Sequence, residues 1–342
     1  MKLDRTTSIV GVGLVLALAA LPEWPGARAA AQAPVTVDIQ EWPVPWEQSR
    51  PRDPYVDADG RVWFVGQRGH YVAYLNPSSG EFKKYDLDPG AGPHNVIVDK
   101  DGYAWYSGNL QSHIGRIDPE SGEITKYPMP EAAARDPHTL IFDRGGDIWF
   151  TVQGGNFVGK LNVGNGVVQL LPVPTERARP YGIRLNSKDE VWFVEFGTNK
   201  LGMVTPSMDL TEIPLPRAEA RPRRLMIDSQ DRIWYVDYAT GMLGRYDPAT
   251  RQFKEWQTPG GPKSQPYGLV IDADDRLWFD EFGMKPSRFV GFDPRTESFF
   301  SITEIRSGGG IRHMYYHEPT NEVWFGTDAE TIGRARLPKR ES

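Results

Sequence analysis

Three histidines, two arginines and two tyrosines share one repeated position in this chain. Arg52, His94, His138, Tyr181, Arg223, Tyr267 and His313 each lie eleven residues before a tryptophan. Proline precedes six of them, and Arg312 stands before His313. Histidine moves protons near neutral pH, and guanidinium forks clamp carboxylate or phosphate oxygens. A second set follows three or four residues after the same tryptophans: Gln67, Gly108, Gln153, Glu195, Asp237, Glu281 and Asp328. Convergence of such groups in a concavity is the usual pattern of a ligand site. His94, His138 and His313 are the candidate proton-transfer groups. Arg52, Tyr181, Arg223, Tyr267, Glu195 and Glu281 are the candidate contacts to a small-molecule or peptide ligand. A structural role competes for each of them, since Arg223 would also be satisfied by an ion pair with Glu195 or Asp237. His70, His113 and His317 fall outside this ring and read as loop or outer-strand residues.

The tryptophans define the elements that must position these groups. Each is followed by Phe or Tyr, from Trp63-Phe64 to Trp324-Phe325, and the seven pairs recur every 42–46 residues. A period near 43 residues with short alternating strands matches one four-stranded propeller blade per repeat. In the fourth repeat Gly182–Leu185, Val191–Val194, Lys200–Val204 and Leu210–Pro214 read as strands A to D, with Asn186–Asp189 as the A–B turn. The segments Asp57–Gly60 and Asp99–Gly102 lack the twelve-residue spacing of a calcium loop and read as the same turn. The last repeat ends after its strand C, and residues 37–45 resemble a strand D. The fold class is therefore all-β, a seven-bladed β-propeller over residues 34–342, with blade 7 closed by the N-terminal strand. Closure removes exposed sheet edges. Strands A line the channel, and the start of A lies beside the end of B, so both residue sets fall at one channel mouth.

Composition narrows the partners. The 342 residues carry a formal net charge of -6 and no cysteine, which excludes disulfides and thiolate chemistry and offers no basic stripe for nucleic acid. Lys2 and Arg5 precede an apolar run from Ile9 to Leu21, followed by Ala27-Arg28-Ala29 and Ala31-Gln32-Ala33. This is the layout of a signal peptide over residues 1–33. It predicts a periplasmic or secreted monomer with no membrane span after cleavage.

Arg179–Ile183, Trp192–Glu195, Asn199–Gly202 and Thr211–Pro216 together resemble the virginiamycin B lyase (streptogramin lyase) family of propellers. The resemblance covers nearly all of residues 36–338. It implies a seven-bladed fold and, in the lyase proper, a magnesium-dependent elimination that opens the ester link of a cyclic depsipeptide. That chemistry pairs Pro-His in one blade with Glu-Pro-His in the next and a glutamate after the second blade's Trp. By blade order the site falls on blades 6 and 7, where Tyr267 and Ile311 replace His and Glu while His313 and Asp328 remain. By local motif it falls on blades 2 and 3, with Pro93-His94, Asp136-Pro137-His138 and Gln153. Asp136 and Asp328 are the metal-ligand candidates that the resemblance implies. Two functions remain open at this point, a metal-assisted carbon–oxygen lyase for an ester or lactone and a non-catalytic ligand- or protein-binding propeller. A calcium lactonase of the gluconolactonase type fits the Arg/His/Tyr ring poorly.

Overall fold

Period-2 alternation, punctuated by Gly, Pro and Asp turns, leaves each repeat no way to bury an apolar face except as a small sheet stacked on its neighbours. The computed structural model describes Met1 and residues 34–340, and shows seven four-stranded antiparallel sheets among them. The segment read as a signal peptide lies outside the described residues. In blade 1 the strands are Pro51–Val56, Val62–Gly66, Tyr71–Asn76 and Glu81–Asp86. Blade 7 comprises Ile311–His317, Glu322–Thr327 and Thr331–Arg336, with Asp38–Pro43 as its fourth strand. That last strand pairs antiparallel to Thr331–Arg336, from Asp38 opposite Arg336 to Pro43 opposite Thr331. The N-terminal strand therefore closes blade 7, as expected. The core is divided among the blade interfaces. One cluster joins Trp63, Val65 and Val72 of blade 1 to Val96, Ala104 and Tyr106 of blade 2. Another joins Trp324 and Ile332 of blade 7 to Phe64 and Ala73 of blade 1.

The Trp-Phe/Tyr marker has two separate jobs. In six blades its second aromatic lies across the neighbouring strand C opposite a small residue, as Tyr106 faces Gly115, Phe193 faces Gly202 and Phe325 faces Gly333, while in blade 6 Phe279 faces Val290. A Cβ at Gly202 would overlap the Phe193 ring. The tryptophan instead fastens the A–B turn. The Asp57 Oδ1 accepts the backbone N–H groups of Asp59 and Arg61, and its Oδ2 accepts Trp63 Nε1 at 2.7 Å and Arg61 Nε at 2.7 Å. Aspartate six residues before the tryptophan repeats this bond in blades 2, 3, 5 and 6. The acidic segments at Asp57 and Asp99 are thus the turns expected from sequence.

Blade 4 departs from this rule. Asn186 replaces the aspartate, and Glu190 occupies the position of Arg61, Arg232 and Arg276. The Asn186 amide donates to Glu190 Oε2 at 2.7 Å, and the buried Trp192 Nε1 has no partner. A buried donor without an acceptor costs about 1–3 kcal/mol. Asn186→Asp alone should lower stability by about 1 kcal/mol, because it sets a carboxylate against Glu190. Asn186→Asp with Glu190→Arg should raise stability by about 1 kcal/mol, as read by the shift of the urea midpoint at constant m-value.

Candidate functional site

The strand A that lines the channel does not pair evenly with strand B. In six blades its register slips near the start, between Arg52 and Tyr55, Pro137 and Leu140, Pro180 and Ile183, Pro222 and Arg224, Pro266 and Leu269, and Ile311 and Met314. Such bulges re-aim side chains. Here they turn two successive residues per blade, eleven and ten before the tryptophan, into the channel. The first set is the predicted ring. The second is Asp53, Asn95, Thr139, Gly182, Arg224, Gly268 and Met314.

The structure brings much of the predicted ring into mutual contact. The rings of His94 and His138 stand 3.5 Å apart and those of His138 and Tyr181 4.0 Å apart. The Tyr181 and Tyr267 hydroxyls share a hydrogen bond, and Arg223 Nη1 donates to Tyr267 at 3.1 Å. The Arg223 guanidinium lies over Phe196 at 3.6 Å, Tyr238 at 4.2 Å and Tyr267 at 4.7 Å. Arg312 covers Phe282 at 4.7 Å and Tyr267 at 5.5 Å. Arg52 donates to Gln67 Oε1 at 3.1 Å, while its Nε and Nη2, like Arg223 Nε, are buried without a partner.

Sequence reasoning missed the layer beneath. Asp53, 1% exposed, accepts Arg224 Nη2 at 3.1 Å and Asn95 Nδ2 at 3.2 Å. Its carboxylate also lies 3.7 Å from His94 Nδ1 and 3.6 Å from Arg52 Nε. Arg224 reaches on to Thr139 Oγ1 at 2.9 Å and the Arg312 carbonyl at 3.3 Å. The ion pair therefore crosses the channel from blade 1 to blade 5. Gly182 leaves room for the backbone that carries Arg224, since a Cβ on Gly182 would stand 3.0 Å from the Arg224 Cα. Counting ten back rather than eleven would have found this set.

The carboxylates of Glu195, Asp237 and Glu281 do not join the ring. Glu195 accepts Thr198 Oγ1 at 2.6 Å, Asp237 accepts Arg217 at 2.8 Å and the Arg221 N–H at 2.8 Å, and Glu281 accepts Arg288 and the Gly260 N–H. Side chains alternate along a strand, so the residue four after the tryptophan faces the mouth where the third does not. Those fourth residues are Gln67, Asn109, Gln153, Phe196, Tyr238, Phe282 and Asp328. Asp328 pairs with Arg312 at 2.9 Å and 3.1 Å. Asp136 accepts the Asn109 amide and, mainly by burial, is pushed up to about 6.

Charge sets the chemistry here. Burial first, then Arg52, His138 and Arg224, push His94 well below its ordinary value. Burial, Arg224 and Arg52 do the same to His138, and burial, Arg224 and Arg184 to His313. All three are neutral at pH 7. Burial pushes the Tyr267 phenol up, but Arg52, Arg223, Arg224 and Arg312 together outweigh it and hold Tyr267 down to about 8. Burial and the neighbouring Tyr267 charge push Tyr181 up to about 12. The residues do not fit the magnesium that the resemblance implies. Asp328 is engaged by Arg312, Asp136 by Asn109, and the paired histidines lie among guanidinium groups that repel a dication. Among the described residues no three His, Asp or Glu side chains converge to hold a metal.

Breaking the buried pair should be costly in a diagnostic way. Asp53→Asn and Arg224→Met should each lower stability by about 3–5 kcal/mol, because each strands a buried charge. The double variant should lose clearly less than the sum of the two, in a double-mutant cycle by urea denaturation.

A family model described as the virginiamycin B lyase family matches residues 27–284. The chain belongs to that family. Among solved structures, the selenomethionine-substituted virginiamycin B lyase of Staphylococcus aureus is 24% identical, with a TM-score of 0.81 over 88% of this chain and 100% of that one. A streptogramin B lyase structure is 25% identical, with a TM-score of 0.80 over 88% of this chain and 98% of that one. The extracellular domain of a hybrid two-component system from B. thetaiotaomicron is 12% identical, with a TM-score of 0.70 over 90% of this chain and 44% of that one. No curated protein matches the chain.

Proposed function

We propose that this member of the virginiamycin B lyase family is an exported carbon–oxygen lyase acting on an ester-linked, anionic small molecule or peptide, and that guanidinium groups supply the positive charge at its channel mouth. The observation that carries this reading is the Tyr267 hydroxyl, hydrogen-bonded to Arg223 beneath Arg312, at the position where blade order places a family histidine. Unpartnered N–H groups on Arg52 and Arg223 suit an anionic substrate, because buried donors without acceptors favour a ligand that supplies them.

Elimination needs a base, a stabilised enolate and a held leaving group. The Tyr267 phenolate would take the proton beside the substrate carbonyl. The C–H electron pair would pass to the carbonyl oxygen as an enolate, held by Arg223. Its return would form the C=C bond as the adjacent C–O bond breaks, and the ester oxygen would leave as a carboxylate facing Arg312 or Arg52. No water is added, and the proton remains on Tyr267 until solvent removes it. His94 and His138, neutral and stacked, would shape the wall beside Tyr181.

A second reading is favoured by one feature: the ring side chains already bond one another in a closed layer, as befits a binding or signalling propeller that performs no reaction. The two separate experimentally. Ester-linked cyclic depsipeptides incubated with the protein should yield an opened product of unchanged mass by mass spectrometry. Hydrolysis would instead add one water. Tyr267→Phe should cut kcat/KM by about 10²–10⁴-fold while the fold and ligand binding persist. EDTA should leave the rate unchanged. The base must be ionised, so kcat/KM should rise with pH through an inflection near the Tyr267 value of about 8. Carboxylate binding without any turnover would establish the second reading, and loss of activity in EDTA would restore the metal.

A further inference from the structure

Below the Asp53–Arg224 pair the channel widens again, on the side that carries the A–B turns. A cavity of about 400 Å³ lies there, with walls from the second halves of the A strands. Tyr55, Ile97, Phe142, Met226, Ile271 and Tyr315 make those walls apolar. Three lining groups are not apolar: Asn95, whose amide is already taken up by Asp53 and the Leu140 N–H, and Arg184 and His313. The Arg184 guanidinium donates to its neighbour's carbonyl, that of Ile183, at 2.8 Å and lies 3.1 Å from the Met226 sulfur. Among the described residues it has no carboxylate partner. Burial lowers it to about 10, so it remains a cation at neutral pH. His313 is 7% exposed, and both of its ring nitrogens lack partners.

An uncompensated cation facing an apolar cavity is costly unless something anionic joins it. We infer that this cavity binds a single-chain amphiphile head first, with its carboxylate on Arg184 and His313 and its alkyl tail along the A-strand walls. The ligand class follows from charge and shape together: one cation at the closed end, hydrocarbon along the sides, and no second charge for a longer polar molecule. At roughly 30 Å³ per water-sized group, the volume holds about a dozen non-hydrogen atoms, the size of a ten-carbon fatty acid. Tyr55 and Phe142 are shared with a hollow of about 560 Å³ among the A–B turns, which places the entrance on that face. His313, expected in the mouth ring, faces this cavity instead; the Arg223–Tyr267 mouth is not part of the site, and the inference does not rest on the lyase reading.

Isothermal titration with decanoate tests it. The wild-type protein should bind one decanoate, and decanol, with the same tail and no charge, at least tenfold more weakly. Arg184→Met should weaken decanoate at least tenfold and leave decanol nearly unchanged. Ile271→Trp, which fills the cavity, should abolish both. Tyr267→Phe at the mouth should change neither. No binding to the wild type, equal affinity for decanoate and decanol, or full binding by Arg184→Met would each overturn the inference. Circular dichroism on each variant confirms that the propeller is intact, and Arg184→Met removes a buried charge, so it should fold at least as well as the parent.

Discussion

The ion pair between Asp53 and Arg224 decides how the centre of this propeller can be used. A seven-bladed ring leaves a channel, and the neighbouring blades touch only at their flanks. One guanidinium from blade 5 crosses that gap to a carboxylate on blade 1 and, on the way, to a hydroxyl on blade 3 and a carbonyl on blade 7. A buried pair need not add net stability over apolar packing, since desolvation offsets much of the attraction. Its evident effect is geometric. It fixes four blades about one point and divides the channel into a mouth above and an apolar cavity below. It also leaves the local charge positive. Asp53 answers one of the guanidinium groups of Arg52, Arg184, Arg223 and Arg224, in a chain whose formal net charge is -6. The field at the channel thus opposes that of the whole chain, as expected of a site that gathers anions.

The fold was legible because its signal is redundant. Seven markers at one spacing identify seven blades, and a last repeat without strand D implies the closing strand that Asp38–Pro43 supplies. The ring was legible for the same reason, as equal spacing in a symmetric fold means equal position. What escaped was anything that depends on direction rather than spacing. Glu195 and Glu281 sit one residue away from mouth-facing positions, and one residue in a strand is the opposite face. Phe196, Tyr238 and Phe282 were passed over because aromatics after a Trp-Phe marker look like more core. Asp53 and Arg224 lie next to ring residues, where ordinary alternation would send them elsewhere. The register slip in strand A aims both at the channel, and nothing in one sequence announces a bulge.

Family membership and the site's chemistry point in different directions, and electrostatics explains how both hold. The blades, turns and closing strand are shared features of the scaffold, stabilised by interface clusters that the ring residues do not enter, apart from the two tyrosines in the cluster between blades 4 and 5. A metal site asks for several carboxylate and imidazole ligands with their lone pairs free. Here the imidazoles are surrounded by guanidinium charge, and the exposed acid, Asp328, is held by Arg312. A guanidinium and a divalent ion both stabilise developing negative charge, but they impose opposite demands on their neighbours. The metal requires anions around it, and the guanidinium cluster lowers the pKa of whatever weak acid it surrounds.

In the proposed lyase, that difference would assign the base. Beside a dication, a neutral imidazole is the natural proton acceptor, because the metal carries the charge that develops on the substrate. Within a guanidinium cluster the histidines are driven to the neutral form but are also made poor bases, since taking a proton adds a further positive charge. A phenol responds in the opposite sense, because losing its proton creates the anion that the cluster favours. The same arginines that disable His94, His138 and His313 as bases therefore prepare Tyr267. A tyrosine at this position and arginines around it are, in electrostatic terms, a single device. Each would be unproductive alone, since a tyrosine without the cations stays protonated and the cations without a tyrosine suppress every base within reach.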